Sequence, residues 1–392
     1  MPSVILGPRC NRRVTCDASP SNARSESAIA VNPLDPYNMV GASKRFTNPE
    51  NYEFSLAAYA TFDGGVSWIE APSLKLLKTG DLDDGGVMWT GDSWAGTSDP
   101  AIAWDNMGNA YLVALAAGIE TQADPLHLLG IAVYRSSDGG RTWSAPKVIH
   151  KSINDDKQWA AGDINSASPY YGNVYAVWDY GSLAFARTTN HGTSWKGIKA
   201  NGVEQPAGTA LPGIFDSFAP ELSVAANGSI YVVWRGADGI KVVKSTDGGD
   251  SFFDPTLNGY AASGITTLGS SALPKLPFDG VNHWPHFPGA SFRVETFPTG
   301  CTGAADDVIV AWADARDTVG GDPISRIYFR RSTDGGESWE GPESGQPLLT
   351  GSAASAADQH DFILSLSAPQ AGKLAVHSTT SDQKGAKIFH RS

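Results

Sequence analysis

Short stretches of alternating apolar and polar residues recur along the chain, each closed by a polar turn and followed by a β-branched or aromatic run. "DPAIAWDNMGNAYLVALA" from Asp99 and "APELSVAANGSIYVVWRG" from Ala219 show the form, and "AAGDINSASPYYGNVYAVWDY" and "DDVIVAWADAR" are further copies. Period-two alternation interrupted by a Gly- or Asn-bearing turn predicts an antiparallel hairpin, with "NMGN" and "AANGS" as the turns. A third extended run follows ("GIAVYRSS", "GIKVVKST", "SRIYFRRS"), then a nine-residue phrase, then a weaker fourth run such as "SAPKVIH".

The phrase reads "RSSDGGRTW" at 135–143, "RSTDGGESW" at 331–339 and "KSTDGGDSF" at 244–252, with looser copies "ATFDGGVSW" at 60–68 and "RTTNHGTSW" at 187–195. Four strands per repeat is the pattern of a propeller blade. Five repeats carry the phrase. A sixth hairpin, "HDFILSLSAPQAGKLAVHS", is followed by "AKIFHRS", which ends where a sixth phrase would begin. The expected fold is therefore all-β: one domain over residues 1–392, a six-bladed propeller of four-stranded antiparallel blades. The segment "SVILGP" at residues 3–8 is expected to complete the last blade and remove its open edge. A seventh, degenerate blade within 253–300 is the alternative.

Ser-x-Asp-x-Gly-x-Thr-Trp between third and fourth strands resembles the Asp-box (BNR repeat) of the sialidase-like, or neuraminidase, propeller superfamily, and the likeness spans nearly the whole chain. The physical reading agrees with a structural role. The Asp can accept hydrogen bonds from its own turn, Gly relieves a positive φ, and Trp can pack between blades. Five carboxylates binding calcium or phosphate would require a ligand cluster that repeats with the phrase. No metal or other cofactor is expected.

Composition narrows the partners. The 392 residues are 41% hydrophobic and 18% charged, with 43 Gly, 24 Pro and 12 Trp, which suits many turns around an aromatic-rich core. A net charge of −12 disfavours nucleic acid, and no apolar run is long enough to span a membrane. Cys10 and Cys16 are close enough to bridge a short loop, leaving Cys301 over, and no CxxC pattern occurs. Asn227-Gly-Ser fits an N-glycosylation acceptor. These features lean towards a secreted monomer, although "MPSVILGPRCNRR" lacks the order of a signal peptide.

If the phrase joins strands three and four, the opposite end of each blade holds the connections into strand one and out of strand two. The resemblance implies that the active site lies there, and scaffold-end loops commonly carry function. That end offers Arg24 and Glu26, then Lys44, Arg45 and Glu50; Asp99; Asp156, Lys157, Trp159 and Asp163; Asp179 and Tyr180; Asp216, Glu221 and Arg235. Further along stand His283, Trp284 and His286; Asp314 and Arg316; and Gln359, His360, Asp361 and His377.

The resemblance implies an arginine triad for a sugar carboxylate, a Tyr nucleophile activated by Glu, and an Asp acid/base. Arg24 matches the first arginine, with Arg24-Ser25-Glu26 in place of Arg-Ile-Pro, and Glu221 and Arg235 match the Glu and the second arginine. His283 and His286 stand where the third arginine belongs. His360, Asp361 and His377 stand in the final blade in place of Tyr, and Asn48 and Glu50 in place of the Asp after Arg45.

Three functions compete. In a sialidase-like exo-glycosidase acting on a terminal acidic sugar, Glu221 is base or nucleophile and Asp99 or Asp216 the acid. Arg24, Arg45, Lys157, Arg235 and Arg316 then surround the carboxylate, beside Trp159, Trp284 and His286. In a lyase that β-eliminates a uronate polysaccharide, His283, His360 or Tyr180 is the base, with Arg235 or Arg316 neutralising the carboxylate. In a non-catalytic glycan-binding propeller, Trp94, Trp159 and Trp284 stack on sugars. An acidic oligosaccharide or polysaccharide is the expected partner in each, with no nucleic acid and no membrane.

Overall fold

A computed structural model describes residues 24–48, 53–72, 74, 94–118, 129–152, 154–253, 266–267, 297–303, 307–319, 322–348, 360–370, 373–382 and 385–391. These fall into two compact units, one of residues 1–166, 170–180 and 184–209, the other of 167–169, 181–183 and 210–392.

Every sheet is antiparallel and follows chain order, as the hairpin pattern requires. The first unit begins with β1 (Arg24–Asn32), β2 (Asp35–Asn48), β3 (Glu53–Thr61) and β4 (Ile69–Glu70). Its second blade is β5 (Trp94–Trp104), β6 (Ala110–Gly118), β7 (Leu129–Ser136) and β8 (Lys147–Lys151). The third is β9 (Asp156–Gly162), β10 (Val174–Asp179), β11 (Leu183–Thr188) and β12 (Lys196–Ala200), extended by β13 (Val203–Pro206) and β14 (Thr209–Ala210). The second unit holds β15 (Phe218–Val224), β16 (Ile230–Gly236), β17 (Gly239–Ser245) and β18 (Thr266–Thr267). It continues with β19 (Thr299–Thr302), β20 (Val308–Val319), β21 (Asp322–Ser332) and β22 (Gln346–Pro347). β23 (His360–Gln370), β24 (Lys373–Asp382) and β25 (Gly385–Arg391) form the last sheet.

These sheets are the blades of an all-β propeller fold. The count differs from the expected six or seven: five sheets reach four strands or more, and β23–β25 form a sheet of three. The reason is pairing, because no described strand joins β25 or β23 as a fourth. The expected donor at residues 3–8, and Cys10 and Cys16, lie outside the described residues. So does most of 253–300, where the alternative blade was sought; its described ends belong to β18 and β19.

The repeated phrase is a turn closed on itself. Ser136 Oγ donates to Asp138 Oδ1 at 2.8 Å and accepts from Gly140 N at 2.9 Å. Thr142 donates its backbone N–H to Asp138 Oδ1 at 2.9 Å and its hydroxyl to Oδ2 at 2.6 Å. Asp63, Asp247 and Asp334 repeat the pattern with Ser67, Ser251 and Ser338. At the third copy Asn190 stands in for Asp, its Oδ1 accepting from Ser194 N and its Nδ2 donating to Ser194 Oγ. These donors hold the Asp138 carboxyl below its ordinary range despite partial burial, which acts the other way.

Three of these turns also grip the blade before them. Asn38 Nδ2 of blade one donates to Gly139 O at 3.0 Å. Blade two presents the buried Asp105 to His191 Nδ1 of the third turn at 2.9 Å. In the second unit, Tyr231 Oη and Lys244 Nζ of blade four both donate to Gly335 O, at 3.0 and 2.9 Å. The tryptophans follow: Trp143 packs against Val40, Ala60, Trp104 and Ala110, and Trp195 meets Tyr111 edge-on at 6.2 Å between centroids.

Gly140 shows how close this approach is. Its φ is +93°, and an added Cβ would lie 2.5 Å from Val40 Cγ2. Gly202 also has a positive φ, +77°, but a Cβ there would meet nothing within 4 Å. Gly202→Ala should therefore cost only the left-handed backbone penalty of about 1–2 kcal/mol. Gly140→Ala should lower the urea midpoint considerably more, because blade two must then retreat from blade one. Equal midpoints for the two variants would show that the turn does not clasp the neighbouring blade.

Candidate active site

The end opposite the repeated turns is built from an irregularity shared by four successive first strands. In β1 four residues, Ser25 to Ala28, oppose three of β2; in β5, Ser98 to Ala101 oppose three of β6. The β9 and β15 registers jump in the same way between Asp156 and Trp159 and between Phe218 and Glu221. Each jump is a bulge with one residue at positive φ: Glu26 (52°), Asp99 (50°), Lys157 (53°) and Ala219 (49°). None is glycine. A non-glycine residue in that region is strained by about 1–3 kcal/mol, and such strain concentrates at functional sites.

In the first unit three of these strained residues are charged, and they meet. Lys157 Nζ lies 3.2 Å from Asp99 Oδ2 and 3.5 Å from Asp156 Oδ1. The Glu26 carboxyl adjoins that of Asp99, and Lys44 Nζ approaches Glu26 Oε1 at 3.8 Å. Burial and the adjoining Asp99 push the Glu26 carboxyl up to about 7. Asp99 is held below its ordinary value: burial opposes this, but the Glu26 hydrogen bond and the Lys157 charge outweigh it. The two carboxyls are thus shifted in opposite directions, Glu26 towards its protonated form and Asp99 towards its ionised one.

The rest of this end supports the trio. Gln158, 5% exposed, donates from Nε2 to the Asp99 carbonyl oxygen, and its own Oε1 is buried with no partner among the described residues. Arg24 Nε donates to Tyr59 Oη at 2.7 Å. Lys44 is buried over the Phe54 ring, 4.2 Å from its centroid. Trp159, two residues after the bulge, is 41% exposed on its strand. Arg45 faces away into an ion pair with Glu70 at 2.7 Å. Tyr180 packs edge-on against His150, which is itself bound through Nδ1 to the buried Asp155 at 2.8 Å.

In the second unit the predicted residues are held by local partners. Glu221 Oε1 accepts from Thr299 Oγ1 at 2.9 Å and Gly300 N at 3.3 Å, tying β15 to β19. Arg235 lies opposite Phe218 in the ladder and over its ring at 4.3 Å. Asp216 accepts from Ala237 N, and its carbonyl from Trp234 Nε1 at 3.0 Å. Arg316 grips the buried Asp314, donates to Ser344 O at 2.6 Å and lies over Tyr328. Glu50, His283, Trp284, His286 and Gln359 lie outside the described residues, whereas Trp94 starts β5, His360 and Asp361 start β23 and His377 lies in β24.

Two residues of the trio's surroundings carried no assigned role in the sequence: Glu26, noted only for its position, and Gln158. A signal was present. "SESAIA" at 25–30 and "SDPAIA" at 98–103 are the same phrase, and Pro100 and Pro220 each follow a bulge residue inside a strand, where proline is confined to such irregularities.

No protein-family profile and no curated protein matches this chain. Solved structures do match in fold. The leech intramolecular trans-sialidase aligns with a TM-score of 0.53 and 12% identity over 97% of this chain and 70% of its own. The intramolecular trans-sialidase from Ruminococcus gnavus aligns at 0.50 and 13% over 95% of each chain. A Hadza microbial sialidase aligns at 0.50 and 13% over 94% of this chain, which spans 66% of that sialidase. The fold is therefore the sialidase-like β-propeller, and identities of 12–13% carry the likeness no further than the fold.

Glu221 generates a pH prediction. Burial pushes its carboxyl up to about 8 against an ordinary 4.5. The folded chain then holds a proton that the unfolded chain releases, so this group lowers stability as pH rises from about 4.5 to about 8 and adds no further slope above that. Urea midpoints of Glu221→Gln should lose this descending component relative to the parent. An unchanged slope would mean that Glu221 is ionised in the fold.

Proposed function

We propose that this protein is a glycoside hydrolase that removes a terminal acidic sugar from a glycan. The observation that carries this reading is the meeting of Glu26, Asp99 and Lys157 on three strained bulges at the end of the blades away from the structural turns. Glycoside hydrolysis needs a carboxyl that still holds a proton near neutral pH beside a group that remains charged. Glu26 and Asp99 fit those two states. Arg24, Lys44 and Lys157 supply cationic charge for an anionic sugar, and the exposed Trp159 offers a face on which a pyranose can stack. The sialidase-like fold supports the same class of substrate.

Release of a fluorophore from a fluorogenic sialoside is the direct test. Products absorbing in the ultraviolet as unsaturated uronates would replace the hydrolase with a lyase, and glycan-array binding without turnover would replace it with a lectin. Trp159→Ala should raise KM roughly fivefold with kcat little changed, since losing one stacking contact costs about 1 kcal/mol. A kcat loss at constant KM would remove Trp159 from the substrate platform.

A further inference from the structure

We propose that Glu26 and Asp99 act as one unit sharing a single proton, which Glu26 delivers to the leaving oxygen, while Gln158 receives a hydroxyl of the bound sugar. This rests on the glycoside hydrolase reading, and it assigns the acid to Glu26 rather than to Asp99 or Asp216.

The geometry separates this pair from two independent carboxylates. Carboxyl groups in glycosidases that work from opposite sides of a bond stand about 5 Å or more apart, so adjoining ones on the Lys157 ammonium cannot flank it. Like charges in contact cannot both ionise, so one proton stays between them over the neutral range. Lys157 fixes which partner is charged by sitting on Asp99, with Asp156 on its other side; Lys44 is the cation facing Glu26 from β2. Glu26 is the more open of the two, its side chain 40% exposed against 17% for Asp99.

Gln158 gives an independent sign of a ligand. Its amide is oriented by its bond to the Asp99 carbonyl, which makes the remaining buried Oε1 an acceptor in want of a donor. Buried acceptors without partners are rare, and a sugar hydroxyl beside Asp99 satisfies this one.

In the step itself the anomeric C–O bond breaks and its electron pair stays on the leaving oxygen, which takes the Glu26 proton. A water oxygen bonds to the anomeric carbon, and the proton it loses restores Glu26. The sum is glycoside plus water to a free sugar and an alcohol, with the pair unchanged.

Two measurements test this. Carbon-13 carboxyl NMR should show a glutamate other than Glu221 titrating near 7; Asp99→Asn should lower it, and Lys157→Met should raise it. No glutamate titrating above 6 that responds to Asp99→Asn overturns the shared proton, whatever the activity. On sialosides, Glu26→Gln should lower kcat at least 100-fold with alkyl leaving groups and less than tenfold with nitrophenyl ones, which leave without an acid. An equal loss on both overturns the acid role. Gln158→Glu should raise KM more than it lowers kcat, and an unchanged KM overturns the hydroxyl seat. A parent that shows the NMR signature but cleaves no glycoside overturns the hydrolase reading and leaves the shared proton standing.

Discussion

The grip of the repeated turns at Asp138, Asn190 and Asp334 on the preceding blades is the constraint on which the rest depends. A four-stranded sheet buries only one face well, so a blade needs neighbours, and neighbours need a fixed spacing. The turn supplies both. Its carboxylate spends its lone pairs inside the turn, which stiffens it, and the outward backbone carbonyl then reaches across to Asn38, or to Tyr231 and Lys244. Glycine makes the approach close enough, and tryptophan fills the space beside it.

The two ends of a blade treat the same backbone conformation differently. At the turns, positive φ falls on glycine and costs little. The third turn departs from this, with His191 at a φ of 55°, and there Asp105 holds the ring through Nδ1. At the other end positive φ falls on Glu26, Asp99 and Lys157, where each residue is strained. The bulge lifts these side chains out of the regular alternation of the strand, so they turn towards one another. A propeller whose turned ends are rigid tolerates that strain at the opposite ends.

Much of the fold was legible because it is written in local, repeated chemistry. The hairpins at 99–116 and 219–236, the third and fourth strands and the structural role of Asp138 all follow from period-two alternation and turn residues within a dozen positions. The blade count did not, since it rests on which strands pair, and β23–β25 gain no fourth strand among the described residues. The first strand of the fifth blade, Thr299–Thr302, was also hard to read because four small and polar residues give no alternation. The site was legible only as a set of candidates. Arg45, Arg316 and Glu221 had the right residue types at the right end, yet Glu70, Asp314 and Thr299 occupy them.

The sequence alone determined an all-β repeat, its turns and the end of each blade on which charged residues gather, because each depends on neighbours a few residues apart. Tertiary structure decided which of those charges face each other. Glu26, Asp99 and Lys157 are separated by more than fifty residues at each step, and three bulges bring them together. The nearness of the two carboxyls, and with it the upward shift at Glu26, exists only once the blades are packed, because burial and a neighbouring charge are properties of the folded chain.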